Sequence, residues 1–141
     1  MIRLATQQEV EKYIKDDPVR PHISLDWRTQ KRREVYVLEN NDRIDAVVCV
    51  AYTSSVPKQE ADMENVGLLC AVFYTVWSYK RGAGRDIVNG VAEEIKKSKP
   101  WVERFVTLSP LTKMAERFHI RNGAKFLAKH EKTQNFEYEV C

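Results

Sequence analysis

The run Lys80-Arg81-Gly82-Ala83-Gly84-Arg85 sets two glycines among three cations, directly after Val66 to Trp77, the most apolar stretch of the chain. A strand that feeds a glycine turn and then opens a helix makes an anion site. The first helical amides have no partner within the helix, the helix dipole favours negative charge, and glycine lets phosphate reach the backbone. Lys80, Arg81 and Arg85 add mobile positive charge. By itself the Gly-x-Gly spacing also fits a tight strand-to-helix turn with solvated cations. Two further residues could move protons or hold a developing charge. His119 follows Phe118 in a helical pattern. Histidine titrates near neutrality and serves as a general acid or base, or it packs in the core with a hydrogen-bond partner. Ser109 precedes Pro110, and Ser-Pro is equally a good N-cap followed by a first helical residue. A helix starting at Pro110 would separate Ser109 from His119 by about ten residues, roughly 15 Å. They would then touch different parts of an extended ligand. A start nearer Thr112, with the loop folded back, would bring them together. Glu64 is the one obvious base for an amine substrate, and otherwise a solvated loop charge; His22 and His130 read as surface residues.

These side chains need elements to position them. Ile2 to Ala5 reads as a short strand and Gln7 to Lys15 as a helix, ended at Asp16-Asp17 by Pro18. His22 to Arg33 is weakly helical. Glu34 to Glu39 and Ile44 to Tyr52 alternate as a hairpin around the Asn40-Asn41-Asp42 turn signal. Ser54 to Asn65 is a polar loop, and Val66 to Trp77 a central strand buried on both faces. Ile87, Val88, Val91, Ala92 and Ile95 fall at i, i+1, i+4, i+5 and i+8, the spacing of an amphipathic helix. Phe105 to Leu108 is a strand, and Leu111 to Phe118 a helix closed by Asn122-Gly123. Ala124 to Leu127 and Asn135 to Val140 are closing strands. The order predicts one domain over 1–141 of α/β (α+β) class, a mixed sheet with helices on both faces.

Composition narrows the function classes. The chain is 43% hydrophobic and 30% charged, with a net charge of +3. That is too little, and too interleaved with acids, for a nucleic-acid stripe. The local excess of cations at the glycine turn suits a compact anionic ligand. No apolar run reaches the roughly 20 residues of a membrane span, and the start lacks a secretory signal, so the expected setting is cytoplasmic. Cys49, Cys70 and Cys141 are odd in number and lack zinc spacing, which reads as buried or free thiols in a reducing compartment and no metal. The oligomeric state is open, a homodimer included.

The segment Tyr79 to Gly84 followed by Arg85-Asp86-Ile87-Val88 resembles the coenzyme A motif of the GNAT superfamily, (Arg/Gln)-x-x-Gly-x-(Gly/Ala), with Tyr79 where Arg or Gln is usual. Ala115 to Gly123 resembles the second signature, with His119 where a Tyr commonly protonates the departing thiolate and Thr112 where Asn is frequent. Within that superfamily the chain is similar to the catalytic domain of malonyl-CoA decarboxylase. The similarity rests on Asp17-Pro18-Val19-Arg20, Ala71-Val72-Phe73-Tyr74, Phe105-Val106-Thr107-Leu108-Ser109-Pro110 and Arg117-Phe118-His119-Ile120-Arg121-Asn122-Gly123-Ala124, with Asn135-Phe136-Glu137-Tyr138 a weaker match. These stretches lie in family order from Asp17 to Tyr138. The family has a long insertion between the two motifs; here nine residues separate Ser109 from His119.

The resemblance implies a GNAT-like, mostly antiparallel twisted sheet flanked by helices. It implies an acyl-CoA partner, acetyl-CoA or malonyl-CoA, contacted by Tyr74, Val76, Tyr79, Lys80, Arg81, Gly82, Ala83, Gly84, Arg85 and Thr112. It gives Ser109 and His119 the catalytic roles. Trp77 and Tyr79 could stack on pantetheine or adenine, with core packing the alternative for Trp77. Decarboxylation needs donors for a thioester oxyanion and a proton for the enolate. Three functions stay open: a malonyl-CoA decarboxylase-like enzyme, an acetyl-CoA-dependent N-acetyltransferase acting on an amine, and a non-catalytic CoA-binding or assembly protein.

Overall fold

A computed structural model describes residues 1–140. Chain order is β1 (Ile2–Leu4), α1 (Gln7–Tyr13), α2 (Leu25–Arg28), β2 (Arg33–Asn40), β3 (Arg43–Thr53), β4 (Cys70–Ser78), α3 (Ala83–Ser98), β5 (Arg104–Thr107), β6 (Ser109–Pro110), α4 (Lys113–Arg121), β7 (Lys125–Lys129) and β8 (Thr133–Tyr138), with 3-10 turns at Ile14–Asp16 and Glu60–Glu64. The strands form one mixed sheet in the order β1-β2-β3-β4-β5-β8-β6, with β7 on β8. Every pairing is antiparallel except β4 with β5.

The hairpin forms as its pattern predicts, with Asn41 and Asp42 at φ 52° and 62° in the turn. These left-handed values suit short polar residues and match the twist of the strands. The five apolar positions of α3 are all buried and pack with Tyr36, Val48, Val50 and Phe73 on one face of the sheet. Val10 of α1, with Val35, Val47, Val72, Tyr74 and Trp77, fills the other face. Cys49 and Cys70 are buried free thiols; Cys141 lies outside the described residues.

Three boundaries differ from expectation. The central strand begins at Cys70, because Val66 only bridges Thr53 and is about half exposed. There Gly67 passes so close to Ser54 that a Cβ would lie 2.6 Å from its backbone. The weakly patterned segment before β2 holds only the short α2, capped by Ser24, whose hydroxyl accepts from the Trp27 amide at 3.1 Å. Ser109 does not cap a helix. It sits in β6, paired with Gln134, while Thr112 caps α4 by accepting from the Ala115 amide at 3.2 Å. The Gln134 side chain explains the fold-back, since its Nε2 donates to the Pro110 carbonyl at 3.0 Å. Between Lys113 and His119 the helix rises about 9 Å, so the obstacle of a long separation is gone.

Candidate functional site: a cleft between β4 and β5

The sheet opens in the middle. The parallel ladder of β4 with β5 ends at Phe73 and Thr107, whereas β4 continues to Ser78. The open edge of β4 makes one wall of a cleft of about 600 Å³; β6 and α4 make the other. A β-bulge lies at the opening, because Cys49 faces Thr75 and Val50 faces Phe73, leaving Tyr74 as the extra residue. A bulge adds local bend and re-aims side chains. Here it sends Tyr74 and Thr75 to the same side, Tyr74 into the core and Thr75 onto Asp17.

A buried ionic cluster holds the bulge. Asp17 accepts from the Val19 amide (2.9 Å), the Arg20 amide (2.8 Å) and the Thr75 hydroxyl (2.9 Å), and pairs with Arg28 at 2.8 Å. Arg28 also donates to the Arg20 and Ile23 carbonyls, and Arg20 donates to the Tyr74 carbonyl. Burial pushes the Asp17 carboxyl up, but these donors outweigh it and hold it below its usual value. The cluster thereby fixes Pro18 and Val19, which line the cleft. The Asp17-Pro18-Val19-Arg20 segment is thus a built part of the mouth.

Ser109 and His119 line the same cleft, and both are buried. Ser109 Oγ lies 2.8 Å from Thr107 Oγ1, which accepts from the Phe136 amide at 3.0 Å. His119 Nδ1 is 2.7 Å from the Tyr138 hydroxyl, and its ring stacks on Phe136 with centroids 5.4 Å apart. Burial lowers its pKa to about 4, so the imidazole is neutral at pH 7. A neutral ring corrects the expectation of a histidine titrating near neutrality. Burial also pushes the Tyr138 hydroxyl well above its ordinary value, so it stays protonated. Tyr138 is the partner that sequence reading missed; its signal was the weak Asn135-Phe136-Glu137-Tyr138 match.

The glycine turn sits where the cleft meets α3. Gly82 has φ +84°, a left-handed value that glycine takes freely, and no side chain caps the helix. The Ala83 amide donates to the Lys80 carbonyl at 3.1 Å, which leaves the Gly84 and Arg85 amides of the first turn for an anion. Gly84 lines the cleft and is needed for packing, since a Cβ there would lie 3.1 Å from the Phe118 ring. Ala83 is buried, and Lys80, Arg81 and Arg85 are exposed. Tyr74, Val76 and Thr112 line the cleft. Tyr79 does not: its hydroxyl donates to Asp16 at 2.7 Å and accepts from Trp77 Nε1 at 2.9 Å. It ties the glycine turn to the 3-10 turn that follows α1, while Trp77 lines the cleft from a mostly buried position. Glu64 is also elsewhere, accepting from Trp27 Nε1 at 2.5 Å and pairing with Arg33. His22 is exposed and pairs with Glu60, and His130 bonds Asn135.

No protein-family model matches this chain, and no curated protein matches it. Solved structures do. A malonyl-CoA decarboxylase from Agrobacterium vitis shares 24% identity with a TM-score of 0.68, over 84% of this chain and 35% of its own. The enzyme from Rhodopseudomonas palustris shares 25% with a TM-score of 0.63, over 84% and 33%. The chain thus spans about a third of the length of these decarboxylases. An acetyltransferase from Bacillus subtilis, in complex with CoA, shares 13% with a TM-score of 0.70 over 99% of this chain and 98% of its own. The superposition extends over nearly the whole chain with the acetyltransferase and over most of it with the decarboxylases, and this chain has the GNAT fold.

Proposed function

We propose that this chain binds an acyl-coenzyme A and decarboxylates a malonyl thioester in the cleft. The carrying observation is the cleft lining: Ser109 and His119 share a space lined by no Asp, Glu, Lys or Arg among the described residues. A carboxylate drawn into such a space loses water and gains no ion partner, at a cost of several kcal/mol. That cost falls as charge leaves the carboxylate for the thioester oxygen. The C2–carboxylate bond breaks, carbon dioxide departs, and the electron pair forms the enolate. Hydrogen-bond donors at the enolate oxygen favour this state over the ground state.

Two donors are supported by geometry. Thr107 Oγ1 already accepts from the Phe136 amide, which favours its hydroxyl as donor to Ser109 Oγ and leaves the Ser109 hydroxyl to donate to the thioester oxygen. The Tyr138 hydroxyl donates to His119 Nδ1, which places the ring proton on Nε2. As that proton goes to C2, the Tyr138 hydroxyl passes its own proton to Nδ1, so the ring stays neutral, and solvent reprotonates the Tyr138 oxygen. The uncapped start of α3 with Lys80, Arg81 and Arg85 suits the coenzyme pyrophosphate, and the CoA complex of the Bacillus subtilis acetyltransferase supports this ligand class.

Near-complete coverage by that acetyltransferase favours a second reading, acetyl transfer to an amine, with His119 as acid to the leaving thiolate. It needs a base for the amine, and the cleft lining has no carboxylate. The deciding experiment is incubation with malonyl-CoA and no acceptor. The expected products are acetyl-CoA and carbon dioxide, with at least a 100-fold loss in His119→Ala, in line with general acid catalysis. Thiol release from acetyl-CoA only when an amine is added would replace this reading with the second. Coenzyme A binding without turnover of either kind would leave a non-catalytic binding protein.

A further inference from the structure

The outer wall of the cleft carries charge that the cleft itself does not use. On α4, Lys113, Arg117 and Arg121 are exposed at i, i+4 and i+8, which aligns them along one face over about 12 Å. None of the three lines the cleft. Phe118, on the same helix, packs against Gly84 in the first turn of α3. The α4 stripe therefore adjoins the exposed Lys80, Arg81 and Arg85. Among the described residues none of these six cations forms an ion pair.

The surface holds six of the chain's 23 Lys and Arg, and four of its 20 Asp and Glu stand by them: Asp86 and Glu116 on the same two helices, Asp16 on the Tyr79 hydroxyl, and Asp45, whose carbonyl accepts from the Tyr79 amide. Asp16 is engaged by Tyr79 and Asp45 by Asn40 and Arg43, so the rim keeps an excess of positive charge around the cleft mouth. Met114 projects from the same rim, 81% exposed, and also lines the cleft.

We infer that this rim docks a small acidic protein that presents its acyl group on a phosphopantetheine arm. The inference rests on the acyl-thioester reading above and names the carrier of that thioester. A free coenzyme needs cations at its phosphates, and the glycine turn supplies three together with open amides. The α4 stripe lies on the outside of the opposite wall and is longer than a phosphate requires. A helix lined with carboxylates matches its length and sign, and Met114 offers an apolar contact beside the entering arm. Complementary charge of this kind raises the association rate and sets partner choice.

The test compares malonyl-CoA with a purified bacterial acyl carrier protein malonylated on its phosphopantetheine, using wild type and the double variant Arg117→Glu/Arg121→Glu. Both changes are on exposed helix positions, and an unchanged thermal midpoint verifies folding. The expected result is a loss of at least tenfold in kcat/KM for the carrier substrate, with the malonyl-CoA value within twofold of wild type. Equal losses on both substrates would overturn the inference, because the stripe would then serve the coenzyme's own phosphates. No loss on the carrier would overturn it too. Fluorescence anisotropy of the labelled malonyl carrier with His119→Gln reads docking without turnover. Salt-sensitive binding abolished by the charge reversal supports the surface even where neither thioester is decarboxylated, an outcome that removes only the decarboxylase reading. Turnover of malonyl-CoA with no carrier binding removes only the docking surface.

Discussion

His119 shows how burial changes what a residue can do. Its ring is held by Tyr138 at 2.7 Å, stacked on Phe136 and neutral at pH 7. Its value of about 4 in the folded state lies below the roughly 6.5 of an unfolded chain. A depressed value means that its stabilisation is complete above pH 6.5 and is lost as the pH falls through that window. That depression corresponds to on the order of 3 kcal/mol. Denaturant unfolding from pH 7 to pH 4 will show this loss, and His119→Gln will flatten it. In the proposed reaction the acid limb of kcat/KM falls below pH 6, not at the ordinary histidine value. Tyr138→Phe removes the partner that assigns the ring proton to Nε2. It lowers kcat at least tenfold with KM nearly unchanged, and nitrogen NMR of the ring will report a mixed tautomer. A merely structural role for Tyr138 would leave the tautomer alone. The histidine and serine positions were legible from local motifs. Tyr138 was not, because a hydrogen bond spanning 19 residues leaves no spacing to read.

Among the elements, the segment between α1 and α2 is irregular in backbone and held by buried hydrogen bonds and an ion pair. Asp17 and Arg28 form a fully buried pair, and removing one partner of such a pair costs about 3–5 kcal/mol because the other charge is left uncompensated. Asp17→Asn is expected to destabilise the fold by that amount in urea titration. Because the Asp17 carboxyl is held below its usual value, its contribution is present above about pH 4 and is lost as the pH falls through the folded value. The same variant loosens Pro18 and Val19, so ligand binding weakens even at temperatures where the fold survives. Thr112→Ala tests the start of α4 and costs about 1 kcal/mol by losing the cap. Ser109→Ala has no capping bond to lose. Strand and helix periodicity made α3 and the hairpin legible. The start of α4 was not, since Ser109-Pro110 and Thr112 are both acceptable caps; the pairing of β6 with β8 decides between them.

For the whole molecule, one sheet carries both the core and the site. Its two faces are filled by α3 and by α1 with α2, and the opening between β4 and β5 is where the ladder stops. A ligand that bridges the opening binds the folded state alone. Coenzyme A at 100 times its Kd is therefore expected to add about 2.7 kcal/mol of stability, read as a rise in the thermal midpoint. An unchanged midpoint would remove the coenzyme reading. The sequence alone determined the strand and helix order apart from β6, the buried faces of α3, the glycine turn and the resemblance that led to Ser109 and His119, because these rest on local periodicity and short motifs. Only the tertiary structure decided that Ser109 and His119 share a cleft with no charged lining, that Tyr79 serves a tie to Asp16, and that His119 is neutral. Each depends on how far from water a side chain lies and on partners distant in the chain, and no local pattern encodes either.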